Sequence, residues 1–399
     1  MFMSITHISS QHQYAGLSAQ LRQQLVDTLV TSGVLHSPRL RDAFLTVPRE
    51  PFVPTFYEQD ESGRLEWKQV NEHQIPQEEY VATVYSDQSV IVKIDEQNWP
   101  ISSSSRPSAM AKMLEALDLG AGQRVLEIGT GTGYNAALLS LVANDPQCVT
   151  TIDIDETLVK DAASILHMAS GPGMTVVCGD GFQGYAPNAP YDRIIATASV
   201  PCIPHAWLTQ LALDGRLVMD LQGTLTSGFL VIEKTVEGIN GHFLAEPLHF
   251  MPLVTKDVAE SRIANVAPLL QQPCQGTFTL DKDHVFPNVL LDSPFRWFLQ
   301  WRIAGCQMRK QKQTQRETRQ AIHVLFLVDQ KRKSLLRLWQ QQGEETWQGS
   351  VYGPEPLWDE LQQAYNDFVA LGEPSPTQYH VKVDAGKPVV CIGSFKFAI

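Results

Sequence analysis

Apolar positions recur along the chain at two spacings, and the order in which those spacings alternate predicts the architecture. Leu17, Leu21, Leu25 and Leu29 lie four residues apart, an amphipathic helix stopped at Ser32-Gly33, and Pro38 to Leu45 reads as a shorter helix. The run V-P-R-E-P-F-V-P from Val47 to Pro54 holds three prolines, which exclude a helix and predict an extended, docked segment. Polar residues 60–79 read as an inserted loop, a surface excursion or a substrate lid, and Tyr80 to Tyr85 and Ser89 to Ile94 read as strands around Ser86-Asp87. Pro107 then opens a helix reaching Leu119, whose cap and free N–H groups the serines before it would supply.

From Val125 short apolar runs alternate with helical ones. Strands are predicted at 125–128, Val149 to Asp153, Met174 to Cys178, Tyr191 to Ser199, Arg216 to Leu221 and Phe229 to Glu233. Helices are predicted from Ala136, over Glu156 to Ala169 and over His205 to Leu213. That alternation predicts an α/β fold, a mostly parallel sheet with helices on both faces. Beyond Thr255, helices at Trp297 to Ile303 and Leu357 to Leu371 mix with strands at Ala321 to Val328, Tyr379 to Val383 and Val389 to Ile392. Two domains are expected: a catalytic one over 1–255 and an additional C-terminal α+β domain over 256–399.

The chemistry concentrates after the first strand of the α/β part. R-V-L-E-I-G-T-G-T-G-Y-N, Arg124 to Asn135, sets a strand, a loop with Gly129, Gly131 and Gly133, and a helix in succession, a nucleotide cradle in which a Cβ would push the ligand away. A dinucleotide site wants a small residue where Tyr134 stands. Glu127 precedes the loop, Asp153 closes the next strand, and Gly179-Asp180-Gly181 follows the one after, so three acids fall at strand ends, where ligands of such sheets bind. Acid, G-x-G-x-G and a second acid resemble the class I S-adenosyl-L-methionine methyltransferases, Rossmann-like folds. By that resemblance Asp153 accepts from the ribose hydroxyls and Asp180 from the adenine amino group, while Glu127 orients the loop or reaches the methionine amino group.

Two further phrases narrow the resemblance. V-P-R-E-P-F-V-P, and the serines of I-S-S-S-S-R-P before an apolar helix, resemble the protein-L-isoaspartate O-methyltransferases over about 1–255, with L-H-F-M-P-L-V at the end of the match. That resemblance puts Ser105 at the acceptor carboxyl group. It implies a cofactor set of Ser102, Ser103, Ser104, Met110, Glu127, Gly129, Thr130, Gly131, Gly133, Asp153, Gly179, Asp180 and Gly181. The implied reaction is methyl esterification of an Asp or isoAsp side chain in a peptide or protein, the ester then collapsing to a succinimide. The serine run resembles a subset of these enzymes associated with ribosomally made peptide natural products. General isoaspartyl repair and a catalytically idle peptide-binding protein are the alternatives.

Composition removes other classes. A net charge of -12 argues against a nucleic-acid binder. Six scattered cysteines without C-x-x-C spacing read as buried thiols, with neither metal site nor disulfide framework. No stretch reaches the roughly 18 apolar residues of a membrane span, and Met1 to Gln13 lacks a signal pattern, so a soluble cytoplasmic protein without a membrane partner is expected. Against that acidic background Arg302 to Arg337 holds ten Lys or Arg and two acids, Glu317 and Asp329. It reads either as a solvated helical face or as a dock for an acidic precursor peptide.

Overall fold

The computed structural model describes residues 5–59, 67–71, 73–254, 265–314, 321–341, 343–355, 357–384 and 386–399. The chain opens with α1 (Ile5–Thr31), α2 (Pro38–Thr46), β1 (Thr55–Gln59), β2 (Trp67–Asn71), α3 (Gln77–Val84), β3 (Val90–Ile94), β4 (Pro100–Ser104) and α4 (Pro107–Leu117). The alternating part follows: β5 (Val125–Ile128), α5 (Tyr134–Ala143), β6 (Val149–Asp153), α6 (Glu156–Ser170), β7 (Thr175–Cys178), β8 (Tyr191–Val200), α7 (His205–Gln210), β9 (Leu211–Gln222), β10 (Ser227–Thr235) and β11 (Gly238–Phe243). After it come α8 (Ala267–Leu270), β12 (Cys274–Leu280), α9 (Ser293–Arg302), β13 (Cys306–Thr314), β14 (Ala321–Asp329), β15 (Ser334–Gln341) and β16 (Trp347–Tyr352). The last elements are α10 (Leu357–Ala370), β17 (His380–Asp384), β18 (Lys387–Ile392) and β19 (Phe395–Ala398).

Two compact units share this chain. The first comprises Met1–Asp220, Val231–Ile239 and Phe250–Lys256; the second comprises Leu221–Leu230, Asn240–His249 and Asp257–Ile399. In the first, strands run in the order β7-β6-β5-β8-β9, with β5 parallel to both β6 and β8. Central β5 is buried along its whole length, and α5 is buried almost all round because α2, α6 and β6 pack against it. A smaller antiparallel sheet, β2-β1-β3-β4, carries the serine run on its edge strand. In the second unit β17 pairs with β11, Gly241 opposite Val381, and a five-stranded antiparallel sheet runs β12-β16-β15-β14-β13.

Several expectations need correction. The expected strand from Tyr80 is helical as far as Val84: Pro76 precedes the helix, Glu78 and Glu79 occupy its first turn, and Tyr80, Val81 and Val84 form one buried face at helical spacing. The alternating pattern also fits that spacing over so short a run. The serines Ser102 to Ser104 belong to a strand and not to a helix cap. Asp87 takes the capping task, its Oδ1 accepting from the Ser108 N–H at 2.8 Å. Most of the described residues between Arg302 and Arg337 lie in β13, β14 and β15, so the helical-face reading fails. Among the cysteines only Cys306 is buried, while Cys178 and Cys274 are exposed. Residues 60–66 of the expected insertion, and Arg316, Glu317 and Arg319 of the basic segment, lie outside the described residues.

Candidate functional site

Glu127 is the anomaly of β5, a carboxyl group on an innermost strand with no solvent exposure. Asn135 Nδ2 donates to its Oε1 at 2.7 Å, and Thr151 Oγ1 donates to its Oε2 at 2.6 Å. The Thr130 and Thr151 hydroxyls meet at 2.7 Å. One acid thus ties the loop, the first turn of α5 and β6 together. Burial pushes the Glu127 carboxyl up to about 7, although the bonds from Thr151 and Asn135 favour its ionised form. Both Glu127 oxygens are engaged inside the protein, and Thr130 turns inward beside it. The amide oxygen Asn135 Oδ1 is buried without a hydrogen-bond partner.

The glycines differ in what surrounds them. Gly129 and Gly131 adopt φ of +95° and +49°, conformations that side chains rarely take. A Cβ on Gly129 would sit 2.9 Å from Thr197 Oγ1, one on Gly133 3.2 Å from Ala162 Cβ, and one on Gly181 2.8 Å from Ile128 Cγ2. At these three positions a side chain would meet protein atoms. Gly131 instead faces the serine strand, Ser103 O and Ser102 Oγ being the nearest atoms at 3.7 and 3.8 Å from a would-be Cβ. The loop and the serine run, far apart in sequence, are therefore neighbours. Tyr134 opens α5 with its ring edge-on to Phe44 and Phe52, which accounts for a large residue at that position.

Asp153 ends β6 half-buried. Its Oδ2 accepts from Gly131 N at 2.9 Å and its Oδ1 from Asp155 N at 3.1 Å. Burial raises its pKa, while these backbone donors pull the other way. A carboxylate offers about four acceptor sites, so two remain for a diol. Gly179 N donates to Asp153 O at 2.9 Å, joining the ends of β6 and β7, and Asp180 Oδ1 accepts from Phe182 N at 2.9 Å. Met110 is buried in α4. An acid with spare acceptor capacity, a second acid on the next strand, a left-handed glycine and an orphaned amide oxygen suit a nucleoside bearing an amino-acid tail. These residues fit S-adenosyl-L-methionine.

One contributor was missed from sequence. Arg49, the arginine of V-P-R-E, is fully buried. Its Nε donates to Ser104 Oγ at 3.1 Å, its Nη1 to Val84 O and Ser86 O at 2.7 and 3.3 Å, and its Nη2 to Gln88 O, Ser104 O and Ser105 O at 3.5, 3.1 and 3.0 Å. The guanidinium lies 5.9 Å from the Tyr134 ring centroid. It clamps the end of α3 to the end of the serine strand. Ser105, half-buried just beyond that clamp, keeps a hydroxyl with no hydrogen-bond partner among the described residues. The signal available from sequence was an arginine inside an otherwise apolar, proline-bounded phrase.

Comparison with known proteins bears on this site. The family model for protein-L-isoaspartate(D-aspartate) O-methyltransferase matches residues 65–258. A protein-L-isoaspartate O-methyltransferase of Hyperthermus butylicus is 32% identical over 243 residues, 59% of this chain and 89% of that protein. Another, from Rhodopseudomonas palustris, is 36% identical over 200 residues, 49% of this chain and 77% of that protein. A solved protein-L-isoaspartate O-methyltransferase superposes with a TM-score of 0.51 at 21% identity, over 93% of this chain and 99% of its own, which shows a shared fold.

Proposed function

The chain belongs to the protein-L-isoaspartate O-methyltransferase family, the S-adenosyl-L-methionine-dependent carboxyl methyltransferases, and we propose that its acceptor is an aspartyl or isoaspartyl side chain of a dedicated acidic peptide. The observation that carries the acceptor assignment is Ser105, a partnerless hydroxyl on a segment held by Arg49 and lying next to the Gly131 loop. A carboxyl group with a pKa near ~4 is ionised at neutral pH, so the site needs no general base. Ser105 donates to one carboxyl oxygen and leaves the other to attack. S-adenosyl-L-methionine supplies a methyl group on a sulfonium. The protein's own contribution is alignment, worth up to ~7 to 11 kcal/mol in well-oriented systems. Once the ester forms, the following backbone nitrogen attacks its carbonyl, methanol leaves with the amide proton, and a succinimide remains.

General repair of isoaspartyl proteins is the second reading. One observation favours it: the solved protein-L-isoaspartate O-methyltransferase that spans 93% of this chain bears that name with a chain of similar extent, so an added unit is not by itself a mark of a dedicated substrate. Labelled S-adenosyl-L-methionine offered with an isoaspartyl peptide, and separately with an acidic aspartyl peptide, decides between them. Label transferred to the acidic aspartyl peptide supports dedication. Label on the isoaspartyl peptide alone supports repair, and label on neither removes both.

A further inference from the structure

Several cations of the second unit are held by acids, and three that are not lie together on one strand. Arg302 pairs with Asp367 at 2.9 Å, Arg332 bridges Asp329 and Glu360 at 2.6 and 2.7 Å, and Arg337 lies 4.6 Å from the Trp339 ring centroid. Lys331 and Lys333 sit in the turn after β14. Arg309, Lys310 and Lys312 form no ion pair with any described residue. All three belong to β13, which ends the five-stranded sheet and has β14 as its one strand neighbour among the described residues.

Strand geometry decides what that edge can take. Successive side chains point to opposite faces, so Lys310 and Lys312, opposite Leu325 and His323 of β14, lie on one face. Arg309, opposite Phe326, lies on the other, the face that carries Arg337 one strand further in. Lys310 and Lys312 are exposed. An edge strand presents backbone donors and acceptors to any extended chain, and lysines on an edge repel a second copy of the same edge. The same charges attract an extended chain with acids on both of its faces. We propose that β13 is the docking edge for the substrate peptide, which adds as a further strand with acidic side chains beside Arg309, Lys310 and Lys312. This rests on the acidic-peptide reading above. Backbone pairing supplies affinity and the alternating cations supply register.

The test uses the full chain and a fluorescent peptide of about nine residues, the length of β13, built from Glu, Thr and Val with acids at the three central positions that fall beside Arg309, Lys310 and Lys312. Two further peptides carry N-methyl groups on alternate residues, in one or the other register. Strand addition uses one register of N–H groups, so one methylated peptide should lose binding and the other should match the parent. Lys310→Glu with Lys312→Glu should weaken the parent by about tenfold or more, reversing an attraction between exposed charges. Lys310→Gln with Lys312→Gln should weaken it less. Methyl transfer to a short isoaspartyl peptide should not change in either variant. Equal binding of both methylated peptides, or unchanged affinity of the charge-reversed protein, overturns the proposal. So does a single-stranded DNA oligonucleotide that displaces the peptide with both methylated forms still bound, which marks a general polyanion patch. A protein that passes these binding tests but transfers no methyl group to any peptide refutes the functional reading and leaves the docking edge standing.

Discussion

Glu127 and Arg49 are the two fully buried charges of the candidate site, and they meet the cost of burial in opposite ways. Glu127 has two side-chain donors, and its pKa rises to about 7, so it can shed its charge by taking up a proton. Arg49 has no such escape, because a guanidinium stays protonated even when burial lowers its pKa. It must be satisfied by geometry, and carbonyls of Val84, Ser86, Gln88, Ser104 and Ser105 supply it. A buried acid can therefore be a local adjustment within one βα turn. A buried arginine has to organise backbone from several segments, and here those segments include the serines of the site.

The largest effect expected from that contrast is at Arg49. Arg49→Met strips hydrogen bonds from several buried acceptors at ~1 to 3 kcal/mol each, so denaturant unfolding should show a loss of roughly 3 kcal/mol or more. Arg49→Lys keeps the charge without the planar fork. It should recover part of the stability yet still impair methyl transfer, since Ser104 O and Ser105 O share one guanidinium nitrogen. Full activity in the lysine variant would mean that charge, and not the clamp, is what the site needs.

Asp153 is intermediate, a half-buried acid held by two backbone N–H groups. Asp153→Ala removes an ionised acceptor whose hydrogen bonds are worth ~1.5 to 3 kcal/mol each, and should weaken S-adenosyl-L-methionine binding in calorimetry by tenfold or more. Unchanged affinity would move the ribose elsewhere. A smaller loss is expected at Ser105, the residue just past the Arg49 clamp. Ser105→Ala should lower kcat by about tenfold, one hydrogen bond to a charged acceptor, with cofactor affinity within a few-fold. A rise in KM with kcat unchanged would assign Ser105 to ground-state binding.

What was legible in the sequence follows the same division. Strands β5, β6 and β8, the acids at their ends and the glycine loop are local, and periodicity with turn chemistry finds them. Sheet order and the closeness of Gly133 to Ala162 and Leu166 are not local, so neither could be read from the chain. Helix α3 was misread because six residues of Y-V-A-T-V-Y satisfy either period. The serines were misread because their partner Arg49 lies more than fifty residues away. In the second unit most strands of the five-stranded sheet were unassigned, since polar β13 gains its place only by pairing with apolar β14.

A pH dependence at Glu127 sharpens the contrast with Arg49 most directly. Its pKa in the folded protein, about 7, lies above the ordinary value of 4.5, so between these values the folded state binds the proton more tightly than the unfolded chain. Stability from this group is complete below pH 4.5 and falls as pH rises through about 7. Glu127→Gln removes the titration yet keeps both contacts, since the amide oxygen can accept from Asn135 and the amide nitrogen can donate to Thr151. The variant should match the parent near pH 5, exceed it near pH 8 by on the order of 2 kcal/mol, and show a flatter profile in between by denaturant unfolding. Arg49 variants should shift the whole profile without changing its slope there, because the guanidinium does not titrate in that range. An equal slope in Glu127→Gln and the parent would mean that Glu127 is ionised throughout, held by Asn135 and Thr151 alone.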